Sequence, residues 1–167
     1  MKKPLFANDR LPHKLVTVGD IALTSADEVF TEIVGVPVRE VRILRLIDDN
    51  PGITFIEIVT ATHLERSFVS RMIQKLSRRG LIERRATEAD ARRYQLYTNA
   101  EGKALRARAR ALSDRLEAIV LTPLAREDAA AIAGAMGTLM EWLEGDTYRA
   151  MLAECLADWT ARPDDAT

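Results

Sequence analysis

Between Glu65 and Gly80 the sequence ERSFVSRMIQKLSRRG sets Val69, Met72, Ile73 and Leu76 at i, i+3, i+4 and i+7, one apolar stripe along a helix. The remaining positions are nearly all polar or basic: Arg66, Ser67, Ser70, Arg71, Gln74, Lys75 and Arg78, with Phe68 as the one aromatic. A helix of this kind buries a single face and presents a long cationic one, so it belongs at a surface. Gly80 ends it, since glycine takes the left-handed C-terminal conformation without a Cβ clash.

The flanking sequence adds a short helix before it and a hairpin after it. Asp48, Asp49, Asn50, Pro51 and Gly52 form a turn, and Thr54 with Glu57 three residues later predicts a capping box that opens a helix over about 55–60. After Gly80 come Leu81, Ile82, a charged stretch to Arg93 and the partly alternating Tyr94–Thr98, which predict a two-stranded hairpin with a charged tip. Upstream, apolar spacing predicts helices over about 13–34 and 38–48, behind an extended arm over 1–12 that holds Pro4 and Pro12. Downstream, Asn99 caps a helix to about Ile119, Thr122 caps another with Pro123 at its first position, running to Glu144, and a last helix spans about 146–159. The expected fold is mainly α with a small β-wing: an N-terminal arm and helix over 1–37, a winged helix-turn-helix over 38–98, and terminal helices over 99–167.

Charge is unevenly spread. Net charge is -1 overall, yet residues 63–93 hold nine bases against four acids, a net of +5, while residues 111–167 hold four against eleven, a net of -7. A local basic face, and not a basic total, is what an anionic partner such as nucleic acid requires.

Other classes find little to build on. There is no glycine-rich phosphate loop and no nucleophile paired with a base, so no catalytic residue is named and an enzyme is not expected. With one cysteine and two distant histidines, His13 and His63, neither a disulfide, a metal site nor a cofactor is expected. No apolar run reaches the roughly 18 residues of a membrane span, and MKKPLFANDRLPHK lacks the apolar core of a secretory signal, so the expected location is the cytoplasm. Cys155 is read as an apolar packing residue, with a redox-sensing thiol as the alternative.

The stretch from Val38 to Lys103 resembles the DNA-binding region of the MarR family of bacterial regulators. Family patterns of the form NPGLTQSELA, LDRSTVSRLVDRLERRGLVER, a wing with Asp-x-Arg, and LTxxG are met here by NPGITFIEIV, LERSFVSRMIQKLSRRGLIER, Asp90-Ala91-Arg92 and TNAEG, without gaps. The resemblance implies a homodimeric transcription regulator, expected to act as a repressor, on a pseudo-palindromic duplex. On the groove face Arg66, Ser67, Phe68, Ser70, Arg71, Gln74 and Lys75 would meet bases or phosphates. Ser67, Ser70 and Arg71 resemble the family's groove and phosphate contacts, Arg92 its wing-tip arginine with Arg93 beside it, and Asp90 would brace the wing. Phe68 stands where the family often has threonine, His63 where it has the turn glycine, and Asn99 where it has a threonine cap. Leu139, Leu143, Leu152, Leu156 and Trp159 look like the dimer interface, and a small phenolic or anionic effector is the implied release signal. A winged helix that binds protein instead of DNA is the rival reading.

Overall fold

The computed structural model describes residues 10–87 and 90–161, and for residues 87, 90–93 and 161 the backbone alone. The chain divides into two compact units, one ending at Val120 and the other beginning at Leu121. Among the described residues no helix is long and apolar enough to cross a membrane.

The first unit opens with α1 (Leu11–Val34), capped by Arg10. Pro12 therefore lies inside the helix and not in an extended arm. Its missing N–H costs nothing in the first turn, where that group has no helical partner anyway. At the other end Gly35 turns with φ 80° and donates to the Phe30 and Thr31 carbonyls. Side chains from elsewhere take up this exposed helix end: Arg108 donates to Ile33 O at 2.9 Å and Arg79 to Gly35 O. Asp27 of α1 in turn accepts the Val38 amide at 2.8 Å and so helps start α2 (Val38–Asp49).

After the turn comes β1 (Ile53–Thr54), a strand missing from the sequence reading, which pairs antiparallel with the later β3. Two residues carry too little alternation to be recognised before their partner is known. The wing is thus a three-stranded sheet of order β1-β3-β2 and not a two-stranded hairpin. Gly52, at φ 90°, is needed here, since a Cβ would come within 3.1 Å of the Tyr97 hydroxyl.

The capping box forms as expected at the start of α3 (Phe55–Thr62), two residues longer than the pattern suggested. Thr54 N–H donates to Glu57 Oε2 at 2.7 Å, and Glu57 N–H donates back to Thr54 Oγ1 at 3.4 Å. His63 closes this helix at φ 53°, so the turn that joins α3 to α4 (Arg66–Arg78) does take the left-handed conformation usual for glycine. Gly80, at φ 68°, ends α4; Gly80 N–H reaches Ser77 O and Leu81 N–H reaches Leu76 O, both at 3.0 Å.

Strands β2 (Ile82–Thr87) and β3 (Asp90–Thr98) follow, with an irregular register at Ala86/Thr87. Asn99 then caps α5 (Ala100–Leu121): its Oδ1 accepts from Gly102 N–H at 2.9 Å while its Nδ2 donates to Gly80 O at 2.6 Å. One side chain thereby joins the start of α5 to the end of α4. Between these elements lies the core, with Phe30, Ile43, Leu44, Ile47, Ile58, Val69, Ile73, Leu76 and Leu96 each at most 1% exposed. Burial of each such side chain is worth roughly 1.5–3 kcal/mol. All four stripe positions of α4 are among the buried residues.

In the second unit α6 (Arg126–Glu144) starts later than predicted, with Ala125 and not Thr122 at its N-cap. The residue before a proline is pushed out of helical conformation, so α5 stops at Leu121, a turn closes through Leu124 N–H to Leu121 O, and Glu127 and Asp128 supply the acidic first turn. Helix α7 (Asp146–Ala161) follows and contacts α6, with the Trp142 and Tyr148 rings 6.4 Å apart. Leu139 is half-buried, whereas Met140, Trp142, Leu143, Met151, Leu152, Leu156 and Trp159 are all exposed in the single chain. Cys155 is exposed among them, contrary to its reading as a packed residue.

Candidate nucleic-acid interface

Because Val69, Met72, Ile73 and Leu76 are held in the core, the rotation of α4 about its axis is set, and Arg66, Ser67, Arg71, Gln74 and Lys75 are exposed on the side away from it. Ser70 and Phe68 lie half-buried at its margins. Two of the arginines rest on aromatic rings. The Arg66 guanidinium lies 5.4 Å from the centre of the Phe55 ring, and that of Arg71 lies 5.9 Å from Phe68. Such pairs restrict a long side chain at a cost of little charge, since the ring leaves the guanidinium edge free to donate. Gln74 Nε2 stands 3.5 Å from Ser70 Oγ, so the two polar groups share one ridge of the helix.

Lys75 differs from its neighbours. Its Nζ lies 3.0 Å from Oε1 of Glu40, a carboxylate of α2 whose side chain is only 4% exposed. Arg79 is likewise engaged, on Gly35 O. The long cationic face is thus divided into arginines braced by aromatics and bases tied back to the protein.

The wing adds two more braced arginines, from the charged stretch that follows Gly80. Arg84 lies 4.9 Å from the centre of the Tyr94 ring, and Arg85 lies 4.3 Å from Tyr97 and 3.1 Å from a Glu83 oxygen. Side chains of Asp90, Arg92 and Arg93, at the hairpin tip, lie outside the described residues. Phe55 and Glu40 were missed as well. The signal for Glu40 was present, since it falls on the same helical stripe as Ile43, Leu44 and Ile47.

Two hollows open beside α2. One, of about 330 Å³, is lined by Leu23, Val38, Arg39, Val41, Arg42 and Arg45 among others. Its neighbour, of about 340 Å³, shares Val41, Arg45 and Ser113 and adds Arg106 and Arg110. Arg106 forks onto Asp48 and Asp49, whose carboxylates raise its pKa above the ordinary arginine value. That clamp fixes α5 to the C-terminal end of α2. Among the described residues no three His, Cys, Asp or Glu side chains gather in a way that would hold a metal.

Helix, turn, braced helix and sheet are the architecture of a winged helix-turn-helix, and residues 34–93 match the MarR family model. Over these residues the chain is similar to the MarR family. The transcriptional regulator HosA of Escherichia coli O157:H7 is 29% identical over 86 residues, 52% of this chain and 64% of HosA, so the match spans less than two thirds of that relative's length. Two solved MarR-like structures share the fold at low identity. The Staphylococcus aureus MepR–DNA complex aligns with TM-score 0.68 and 17% identity over 81% of this chain and all of that one. The Mycobacterium tuberculosis MarR family protein Rv2887, in complex with salicylic acid, aligns with TM-score 0.67 and 22% identity over 81% and 99% of the two chains.

Proposed function

We propose that this protein is a DNA-binding transcription regulator, a repressor by occupancy, that acts as a homodimer on a pseudo-palindromic duplex. The observation that carries the reading is the groove face of α4. Arg66, Ser67, Ser70, Arg71 and Gln74 stand opposite a fully buried stripe, two of them braced by aromatic rings, with Arg84 and Arg85 on the adjoining sheet. An α-helix with this outer surface fits the major groove, where Arg pairs with guanine, Gln with adenine, and Ser with either. Phe68 would touch a thymine methyl, and Arg92 and Arg93 would reach the minor groove or backbone from the wing tip, with Asp90 bracing it. The existence of a MepR–DNA complex on this fold supports the assignment.

Two copies are invoked because the second unit leaves two tryptophans and several Leu and Met side chains uncovered, more apolar surface than a monomer ordinarily exposes. A two-fold dimer sets its α4 helices about one DNA turn apart. The effector reading rests on the hollows beside α2, whose linings mix arginines with Asp20, Asp114 and Glu117 and with apolar side chains, and on Rv2887 being solved with salicylic acid. Such a ligand releases DNA only by binding the non-DNA geometry better.

Selection of bound fragments from a random duplex pool tests the reading. The expected product is a palindrome with half-sites one turn apart, bound with an affinity that falls steeply as salt rises. Unselective, salt-insensitive retention refutes DNA recognition and favours the protein-binding rival. Leu152→Asp with Leu156→Asp should abolish tight binding by splitting the dimer. A monomeric variant that binds as tightly as the wild type would exclude the dimer.

A further inference from the structure

Glu40 is a buried carboxylate satisfied on one side only. Oε1 meets Lys75 Nζ at 3.0 Å, whereas Oε2 is buried and has no hydrogen-bond partner among the described residues. Taking the Glu40 carboxylate out of water in this way opposes folding, and apolar groups of similar volume in place of a buried pair commonly leave a protein as stable or more so. The pair is therefore poorly explained as a stabilising contact. Its placement is informative: Lys75 lies one helical turn beyond Arg71 and next to Gln74 on the groove face of α4, and Glu40 lies on α2, which packs against α4. The Lys75 side chain is 55% exposed, but its ammonium is directed back to α2.

We infer that Glu40 and Lys75 are positioning residues for DNA recognition. The pair pins the groove face of α4 to α2, so that Arg71 and Gln74 meet the bases at one rotation of the helix. Lys75, assigned from sequence to the DNA contacts, acts through α4 and neutralises no phosphate. This inference rests on the DNA-binding reading above.

The test compares the wild type with Glu40→Gln, Lys75→Met and the double variant. Each is titrated by fluorescence anisotropy with the selected duplex and a scrambled one across a range of salt, and each is melted by circular dichroism. Each substitution should lower the ratio of selected to scrambled affinity about tenfold, with the double variant no worse than the singles because one coupled unit is lost. The slope of log affinity against log salt should not change. The double variant, freed of both charges, should melt no lower than Lys75→Met alone, which leaves the Glu40 carboxylate buried and unpaired. Should Lys75→Met alone fail to fold through the charge it leaves unpaired, the double variant carries the test.

A fall in the salt slope of about 0.9 with Lys75→Met, with both duplexes weakened equally, would make Lys75 a phosphate contact and overturn the inference. Tighter binding of both duplexes by Glu40→Gln would overturn it too, since Glu40 would then merely compete with DNA. Wild-type protein that binds no duplex in a salt-dependent way sinks the DNA-binding reading and this one with it. Wild-type binding with an unchanged ratio in the variants sinks this one alone.

Discussion

Gly102 sits in the first turn of α5, where a Cβ would fall 2.1 Å from the Leu81 carbonyl oxygen and 2.6 Å from Thr98 Cγ2. To reach even ordinary contact, the start of α5 must move by roughly 1 Å or more against the end of α4. Overpacking of this kind costs roughly 1–3 kcal/mol. The shift also strains the Asn99 bonds to Gly80 O and from Gly102 N–H, each worth about 1 kcal/mol. Against this, alanine gains at most about 1 kcal/mol of helix propensity. Gly102→Ala is therefore expected to destabilise the chain by about 2–3 kcal/mol, which at this chain length lowers the melting temperature by roughly 5–10 °C. Urea denaturation followed by far-UV circular dichroism measures it. The sign is decisive, because an ordinary helical Gly→Ala change raises stability. A variant as stable as the wild type would mean that α5 does not approach Leu81 this closely, and the account of how α4 and the sheet are held together would fail.

Other perturbations separate the remaining claims. Thr54→Ala removes one half of the capping box and should cost about 1 kcal/mol. The Thr54 hydroxyl first, and the Thr54 amide second, hold the Glu57 carboxyl below its ordinary pKa. That contribution is fully present above the unfolded value near 4.3 and is lost as pH falls through the lower folded value. The stability gap between wild type and Glu57→Gln should accordingly close on acidification; a gap that widens would reverse the assignment. At His63, with φ 53°, glycine should be tolerated or raise stability by up to about 1 kcal/mol, whereas valine should lower it by about 1–2 kcal/mol; equal melting of the two variants would deny the strained backbone. Arg71→Ala should weaken the selected duplex by 1–3 kcal/mol in a binding titration, and Arg71→Lys should fail to restore it, because lysine offers neither the planar fork nor the stacking on Phe68. Full rescue by lysine would reduce Arg71 to a point charge.

What could be read from the sequence was whatever leaves a local period or a local cap. The stripe of Val69, Met72, Ile73 and Leu76, the Thr54–Glu57 box, the Gly80 stop and the Asn99 cap all act within a few residues, and the structure has each of them. The left-handed turn at His63 belongs with these, because it was inferred from a family pattern that records backbone geometry as a glycine. The losses have the opposite character. Strand β1 exists only because Ile53 and Thr54 meet Leu96 and Gln95, some forty positions later. The Arg106 fork reaches Asp48 and Asp49 across more than fifty residues, and Arg79 reaches back to Gly35. No window of the sequence contains both ends of such a tie. The site shows the same division: the groove face of α4 is periodic and therefore legible, but the groups that orient it, Phe55 beneath Arg66 and Glu40 behind Lys75, come from other elements. A helix face read as seven contacts to bases or phosphates thus resolves into two kinds of residue. Arginines stacked on rings keep their donors for a ligand, and Lys75 is drawn back to Glu40. On the proposed reading, base contacts by Arg71 and Gln74 would then depend on a carboxylate that itself stays in the core.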